Sequence, residues 1–275
     1  MLPLVSITIA SYNGEKFLAE FLDSVYSQTH KNIEVVVCDD KSTDNTIEIL
    51  ERYKTNYGLQ YFINEQNIGF IKTFERAVSL CTGEFIALAD QDDIWFPEKI
   101  ETLLINIGTA GLIHSDAVLV DSDKNKIADS FTEFSNKQTK ITDFRKLMFY
   151  NSVTGCTVLF HRKLLEIALP FPEKIIYHDW WLALCASKSS GIKYLDQSLI
   201  LYRQHQNISG GAEQMSLKFL ISGSLMKGFL KDRAYKNRKM AAWFSALKTT
   251  ELSKENKIIV EDMIHFHDSF FEQKI

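Results

Sequence analysis

The chain has 275 residues, 45% of them hydrophobic and 24% charged, with four prolines. That composition excludes disorder and fibrous repeats, and the length suits one large domain or a domain with a small appendage. Thirty-one Lys and Arg face 35 Asp and Glu, and a formal net charge of −4 excludes a generic nucleic-acid binder.

A β-rich run over residues 5–9 ends at the turn pair Asn13-Gly14, and Leu18, Phe21, Leu22 and Val25 follow at helical spacing. Residues 33–37 predict a second strand, with Ser42 or Thr43 capping a helix that buries Ile47, Leu50 and Tyr53. A third unit runs from residues 61–63 through Asn67-Ile68-Gly69 into a helix burying Phe70, Phe74, Ala77, Val78 and Cys81. Residues 85–89 predict a fourth strand. Pro97 then suits the first turn of a helix that faces Ile100, Leu103, Leu104 and Ile107 inward. Repeated βα units predict an α/β, Rossmann-like, mostly parallel sheet flanked by helices.

Beyond about residue 110 the pattern loosens. Strands are expected over 113–120 and 194–202, and helices over 142–150 and 179–188. One domain is expected over residues 1–211, in halves of about 1–110 and 111–211, followed by a helical extension over 212–275. Cys38, Cys81, Cys156 and Cys185 form no CxxC pair, which fits a reduced cytosolic chain without a zinc cluster or disulfide framework. No apolar run reaches the roughly 18–20 residues that span a bilayer. Residues 1–10 lack the basic start of a signal peptide.

Parallel sheets bind ligands at the carboxyl ends of their strands, and there this sequence places its polar residues. Ser11-Tyr12-Asn13, Asp39-Asp40, Asn67-x-Gly69 and Asp90-x-Asp92-Asp93 each follow a predicted strand. Three carboxylates within four residues repel one another unless protons or a cation neutralise them. Mg²⁺ and Mn²⁺ take oxygen ligands and leave positions for phosphate oxygens, so a cation bridging the cluster to a diphosphate would stabilise a leaving phosphate. The alternative is a solvated turn. Asp39 either accepts from a nucleotide base or ribose or leads into the Ser42 cap. With no GxGxxG and no GxxxxGK[ST], neither a dinucleotide fold nor a P-loop is supported.

The stretch VSITIASYNGEKFLAEFLDSVYSQTHKNIEVVVCDDKSTDNT over residues 5–46, Asn67-Ile-Gly69, and LADQDDIW over 88–95 together resemble family 2 glycosyltransferases, inverting enzymes of the GT-A fold. Gly155-Cys156, Tyr177-His-Asp-Trp-Trp181 and Leu201-Tyr-Arg-Gln-His205 continue the resemblance more weakly. The DQDDIW form and the YRQHxNxSG ending are similar to a branch containing many bacterial rhamnosyltransferases. The resemblance implies dTDP-rhamnose or another dTDP- or UDP-sugar as donor, and a surface glycan or lipid-linked acceptor. It implies donor contacts from Ser11, Tyr12, Asn13, Asp39, Asn67, Gly69, Asp90 and Asp93, with Asp39 on the base. Asp92 and His205 would ligate Mg²⁺ or Mn²⁺. Asp179 matches the general base, with His178 in place of the first acid of the usual ED pair.

Inverting transfer needs a carboxylate to take the acceptor proton. Asp179 opens an aromatic-rich helix at Trp180-Trp181, where a plain helix cap is the other option. Trp95 and Trp180 either stack on sugars or fill the core, and Gly155-Cys156 offers an acceptor an approach to the backbone. A nucleotidyltransferase and a non-catalytic nucleotide-sugar-binding scaffold are the competing functions. The first would carry a Gly-rich basic loop after strand one, where this chain has Ser11-Tyr12-Asn13-Gly14.

Charge is unevenly spread. Residues 212–250 carry a net +6, against −7 over 1–211 and −3 over 251–275. In the basic segment Met240, Trp243, Phe244 and Leu247 keep helical spacing, which suits an anionic membrane surface, a homo-oligomer contact or packing on the domain. A cytosolic catalyst, peripheral at the inner face of the cell membrane, is the expectation.

Overall fold

The computed structural model describes residues 2–204, 243–245, 247, 256–258, 260–262 and 264. Two compact units divide the chain, one of residues 1–170 and 178–208, the other of 171–177 and 209–275. His205 and most of the basic extension lie outside the described residues. In the second unit Trp243, Phe244, Leu247 and Val260 are buried. Among the described residues no helix is long and apolar enough to cross a membrane.

The first unit is built on a nine-stranded sheet among the described residues. Its leading half holds β1 (Val5–Ser11), β2 (Ile33–Asp39), β3 (Gln60–Ile63) and β4 (Phe85–Ala89), all parallel, in the order β3-β2-β1-β4. Crossovers run through α1 (Leu18–Tyr26), α2 (Thr46–Tyr57) and α3 (Phe70–Ser79). β1 and β4 are buried almost along their whole length, as parallel strands covered by helices must be; β4 is accordingly an apolar run, while β1 buries Ser6 and Thr8 among its apolar residues. α3 packs across β1 and β2 through Phe74, Ala77 and Val78.

Beyond β4 the sheet becomes mixed. β5 (Ile94–Trp95) and α4 (Lys99–Ile107) precede β6 (Leu112–Val120) and β7 (Lys126–Ala128). Two single-turn helices follow, α5 (Phe131–Phe134) and α6 (Phe144–Leu147), then β8 (Val158–His161), α7 (Leu165–Ala168), α8 (His178–Lys188) and β9 (Ile192–Arg203). β8 inserts between β4 and β6, antiparallel to both, while β9 pairs with β6 in parallel and with β5 antiparallel. α8 is buried from His178 to Ala186, so it runs through the interior rather than over it.

Four expected details change. The helix expected over 142–150 is only the turn α6, begun by the Asp143 side chain accepting from the Lys146 N–H. Neither Ser42 nor Thr43 caps α2. Lys41 turns the chain at φ 67°, and Asp44 accepts from the Thr46 N–H at 3.0 Å at the helix start. Pro97 precedes α4, which begins at Lys99. Phe70 is 38% exposed because it is the first residue of α3, where its ring meets the edge of His178.

Candidate active site

The register sets Ser11 beside Asp39 and Ile9 beside Ala89, so the carboxyl ends of β1, β2 and β4 lie level. The loops leaving them are tied together by their polar residues. Asp39 is fully buried and accepts from the Ser11 hydroxyl at 2.8 Å, the Ser42 hydroxyl at 2.6 Å and the Ser42 N–H at 2.8 Å. Ser42 in turn accepts from the Asn13 N–H, and the Asn13 side chain accepts from the Thr43 N–H. Asp40 takes the N–H groups of Ile68 and Gly69, each at 2.8 Å, and so fixes the Asn67 loop where Gly69, at φ 82°, opens α3. Gln91 clamps Tyr12 from the other side, accepting from its N–H at 3.0 Å and donating to its carbonyl at 2.9 Å. Tyr12 is 47% exposed and Asn67 is exposed, so both are open to a ligand on this edge.

Asp90 and Asp93 converge with Cys156, one potential ligand atom from each lying within 4.8 Å of the others. Asp93 is buried. Its Oδ1 accepts from the Arg203 N–H at 3.2 Å, and its Oδ2 has no hydrogen-bond partner among the described residues. Burial, then the charges of Asp92 and Asp179, push Asp90 up to about 7; burial, then Asp92 and Asp90, hold Asp93 well above the usual carboxylate range. Burial likewise drives the Cys156 thiol well up. Lys99 is the buried cation beside them; it donates to the Cys156 carbonyl at 2.6 Å, and burial pulls it down to about 7. Arg203 braces the loop, with Nε on the Asp92 carbonyl at 2.7 Å, Nη1 on the Ser122 carbonyl and Nη2 on Glu20.

Carboxylates held against their own ionisation, one oxygen buried without a partner, are an oxygen-rich set that a hard divalent cation fits. The oxygens of Asp90 and Asp93 could serve as donors to it, and the protonated thiol would be a poor one. Asp92 repels both acids but stands outside this group of three.

Asp179 lies in the first turn of α8, close enough to Asp90 to raise it. Its Oδ1 accepts from the Trp180 N–H at 2.7 Å and from Asn151 Nδ2 at 3.2 Å. Oδ2 faces Gly155, where a Cβ would sit 3.7 Å from it and 3.4 Å from His178 Nε2. Lys137 is nearby, its ammonium on the Val153 carbonyl and the Thr154 hydroxyl, so a cation flanks the carboxylate.

The two tryptophans sit in the core. Trp95 is 2% exposed, with the Lys99 ammonium 3.5 Å from its ring centroid; Trp180 is buried with its Nε1 on the Leu147 carbonyl at 2.5 Å. Asn151, Lys137, Lys99, Arg203 and Gln91 join the site without having stood out in the sequence. Gln91 had a cue in its place inside the Asp90–Asp93 run, and Arg203 in its place inside the Leu201–His205 stretch.

The sequence model of the family described as Glycosyl transferase family 2 matches residues 6–167. The chain is 32% identical over 194 residues to WfgD of Escherichia coli, described as a UDP-Glc:alpha-D-GlcNAc-diphosphoundecaprenol beta-1,3-glucosyltransferase, covering 69% of this chain and 73% of that protein. It is 29% identical over 222 residues to the dTDP-rhamnosyl transferase RfbG of Shigella flexneri, covering 74% of each. Among solved structures, S. aureus TarS 1-349 in complex with UDP-GlcNAc aligns with a TM-score of 0.65 at 20% identity, over 97% of this chain and 73% of that one. The expected GT-A fold is thereby borne out.

Proposed function

This chain belongs to glycosyl transferase family 2, and we propose that it is an inverting transferase that moves a sugar from a dTDP- or UDP-sugar to a hydroxyl of a bacterial surface glycan or lipid-linked acceptor. The observation that carries the reading is the pair of oxygens on Asp179. Oδ1 is anchored by Trp180 and Asn151, while Oδ2 faces the Gly155 niche beside the Asp90–Asp93 cluster. A carboxylate so held can take a proton from an acceptor hydroxyl without turning away from it. RfbG is described as using a dTDP-sugar, WfgD a UDP-sugar and a diphosphoundecaprenol-linked acceptor, which supports the same classes here.

The residues divide the work. The Tyr12–Asn13 loop and the Asn67–Gly69 loop, held by Gln91, Ser42 and Asp40, line the donor edge. Asp39 orders that edge through Ser11 and Ser42 and is the base-recognition residue in this proposal. Asp90 and Asp93, with Asp92 and His205, are the residues that would hold Mg²⁺ or Mn²⁺. The bound cation supplies charge neutralisation for a leaving nucleoside diphosphate. Asp179 receives the acceptor proton.

The test is incubation with a panel of dTDP-, UDP- and GDP-sugars and Mn²⁺ or Mg²⁺, reading nucleoside diphosphate release with and without simple glycoside acceptors. Release with no donor in the panel overturns the reading. The +6 charge of residues 212–250 supports work at an anionic membrane face, and failure to sediment with anionic vesicles overturns that part alone.

A further inference from the structure

His178 is the buried polar side chain that the site leaves unused. It is 8% exposed, yet neither Nδ1 nor Nε2 has a hydrogen-bond partner among the described residues. Buried polar groups in folded proteins are almost always paired, so an orphan calls for a partner that arrives later. The ring does not wander to find one. Phe74 stacks on it at 3.9 Å between centroids and 16° between planes, and Phe70 meets it edge-on at 6.1 Å.

That fixed ring points one nitrogen into the niche beside the base. The position a Gly155 Cβ would take is 3.4 Å from His178 Nε2 and 3.7 Å from Asp179 Oδ2. Two polar atoms on consecutive residues thus border one small space, which a glycine keeps open. Burial pulls His178 down to about 4, so at neutral pH its imidazole has one N–H donor and one bare acceptor. Such a ring suits a hydroxyl, which both donates and accepts, better than a charged group.

We propose that His178 is an acceptor-specificity residue, its imidazole hydrogen-bonding a second hydroxyl of the acceptor sugar, next to the hydroxyl that Asp179 deprotonates, in the niche that Gly155 opens. This rests on the transferase reading and deepens it. A site built to bond a hydroxyl rejects the analogue that lacks it, because its own polar atoms are then left buried and unpaired. A sugar with vicinal hydroxyls is the acceptor class, and its deoxy analogue is the one refused.

The experiment uses the full chain, the donor panel, and methyl glycosides of glucose, galactose, N-acetylglucosamine and rhamnose with their monodeoxy analogues as probes. His178→Phe keeps a flat ring on Phe74 and removes both nitrogens; Gly155→Ala keeps the histidine and fills the niche. Nucleoside diphosphate binding, followed by thermal shift, checks that each variant is folded. The expected result is that the wild type prefers one parent glycoside over a deoxy analogue by about tenfold or more in kcat/KM. His178→Phe loses that preference, chiefly through a higher KM for the parent, and Gly155→Ala loses transfer to both while still binding nucleotide. A His178→Phe enzyme that keeps the preference overturns the proposal, as does a Gly155→Ala enzyme with wild-type transfer, which decides the matter if the first variant does not fold. A wild type that transfers to no probe from any donor overturns the transferase reading itself.

Discussion

Asn151 donates from Nδ2 to Oδ1 of Asp179 at 3.2 Å, on the same oxygen that takes the Trp180 N–H. One half of the carboxylate is therefore fixed and the other is directed at Gly155. Asp179→Asn removes the proton acceptor but keeps the shape, so transfer should fall by about 10²–10⁴-fold with nucleotide binding intact. Asn151→Ala should lower kcat by about tenfold, the loss of one positioning hydrogen bond, and leave the donor KM unchanged. Near-normal turnover by Asp179→Asn would end the base assignment.

Asp90 and Asp93 predict the response to metal. Burial and mutual repulsion raise both folded-state pKa values, so in the metal-free protein the stability they contribute is full at low pH and is lost as pH rises, for Asp90 through about 7. A cation competes with the protons for the same oxygens, so it stabilises more at pH 8 than at pH 6. At a hundredfold excess over its Kd, Mn²⁺ should raise the thermal midpoint by about 5 °C at pH 8. Chelation should reverse the rise and abolish transfer, and Asp90→Asn with Asp93→Asn should remove the shift. Equal shifts in the double variant and the wild type would place the cation elsewhere.

The donor edge was legible in the sequence because each parallel strand is a β-rich run followed by a helical pattern, and the polar cluster between the two marks the strand end. Ile9, Val37 and Ala89 needed no more than that. The base's supporting residues were not legible in this way. Asn151 comes from an irregular loop with no periodicity, and nothing in the sequence around Lys99 or Lys137 signals that its ammonium will turn inward. Ser42 misled because a serine ahead of a helical run usually caps it; here it bridges Asp39 and Asn13 instead. Trp95 and Trp180 show that an aromatic beside a motif cannot be told from core by position alone.

Gln91 fixes both backbone polar groups of Tyr12. Gln91→Ala should raise the donor KM by about fivefold, on the order of 1 kcal/mol for the lost pair, with kcat little changed. Gly14→Ala should act alike by another route, since a Cβ there would stand 2.5 Å from Gln91 Oε1 and push the side chain off Tyr12. Steady-state kinetics with varied donor check both. A Gln91→Ala enzyme with wild-type donor KM would show that Tyr12 order does not serve the donor.

Arg203 is buried, and its side chain spans the Asp92 carbonyl, the Ser122 carbonyl and Glu20. Lysine keeps the charge but cannot make that fork. Arg203→Lys should therefore cost about 2–3 kcal/mol, with bonds to charged groups and unpaired buried carbonyls as the cause. It should also weaken Mn²⁺ binding, because the acidic loop loses its brace. Glu20→Gln should cost under about 1 kcal/mol, since Glu20 is partly exposed. Denaturant midpoints for the two variants should separate in that order, and equal losses would mean that the Glu20 contact alone carries the effect.

His114 tests the acid side of stability away from the metal cluster. It is buried beside Tyr194 with Nε2 unpartnered, and burial, aided by the Lys137 charge, pulls it down to about 3. The folded pKa lies below the unfolded value, so His114 contributes stability that is present above about 6.5 and lost as pH falls toward 3. Between pH 7 and pH 4.5 that loss is roughly 3 kcal/mol. His114→Phe keeps an apolar ring beside Tyr194 and has nothing to protonate. Urea unfolding at the two pH values should therefore show the wild type losing about 3 kcal/mol more than the variant on acidification. His178, pulled down to about 4, titrates in the same direction in both proteins and cancels from the comparison. Parallel losses in wild type and variant would mean that His114 takes up its proton without the fold opening.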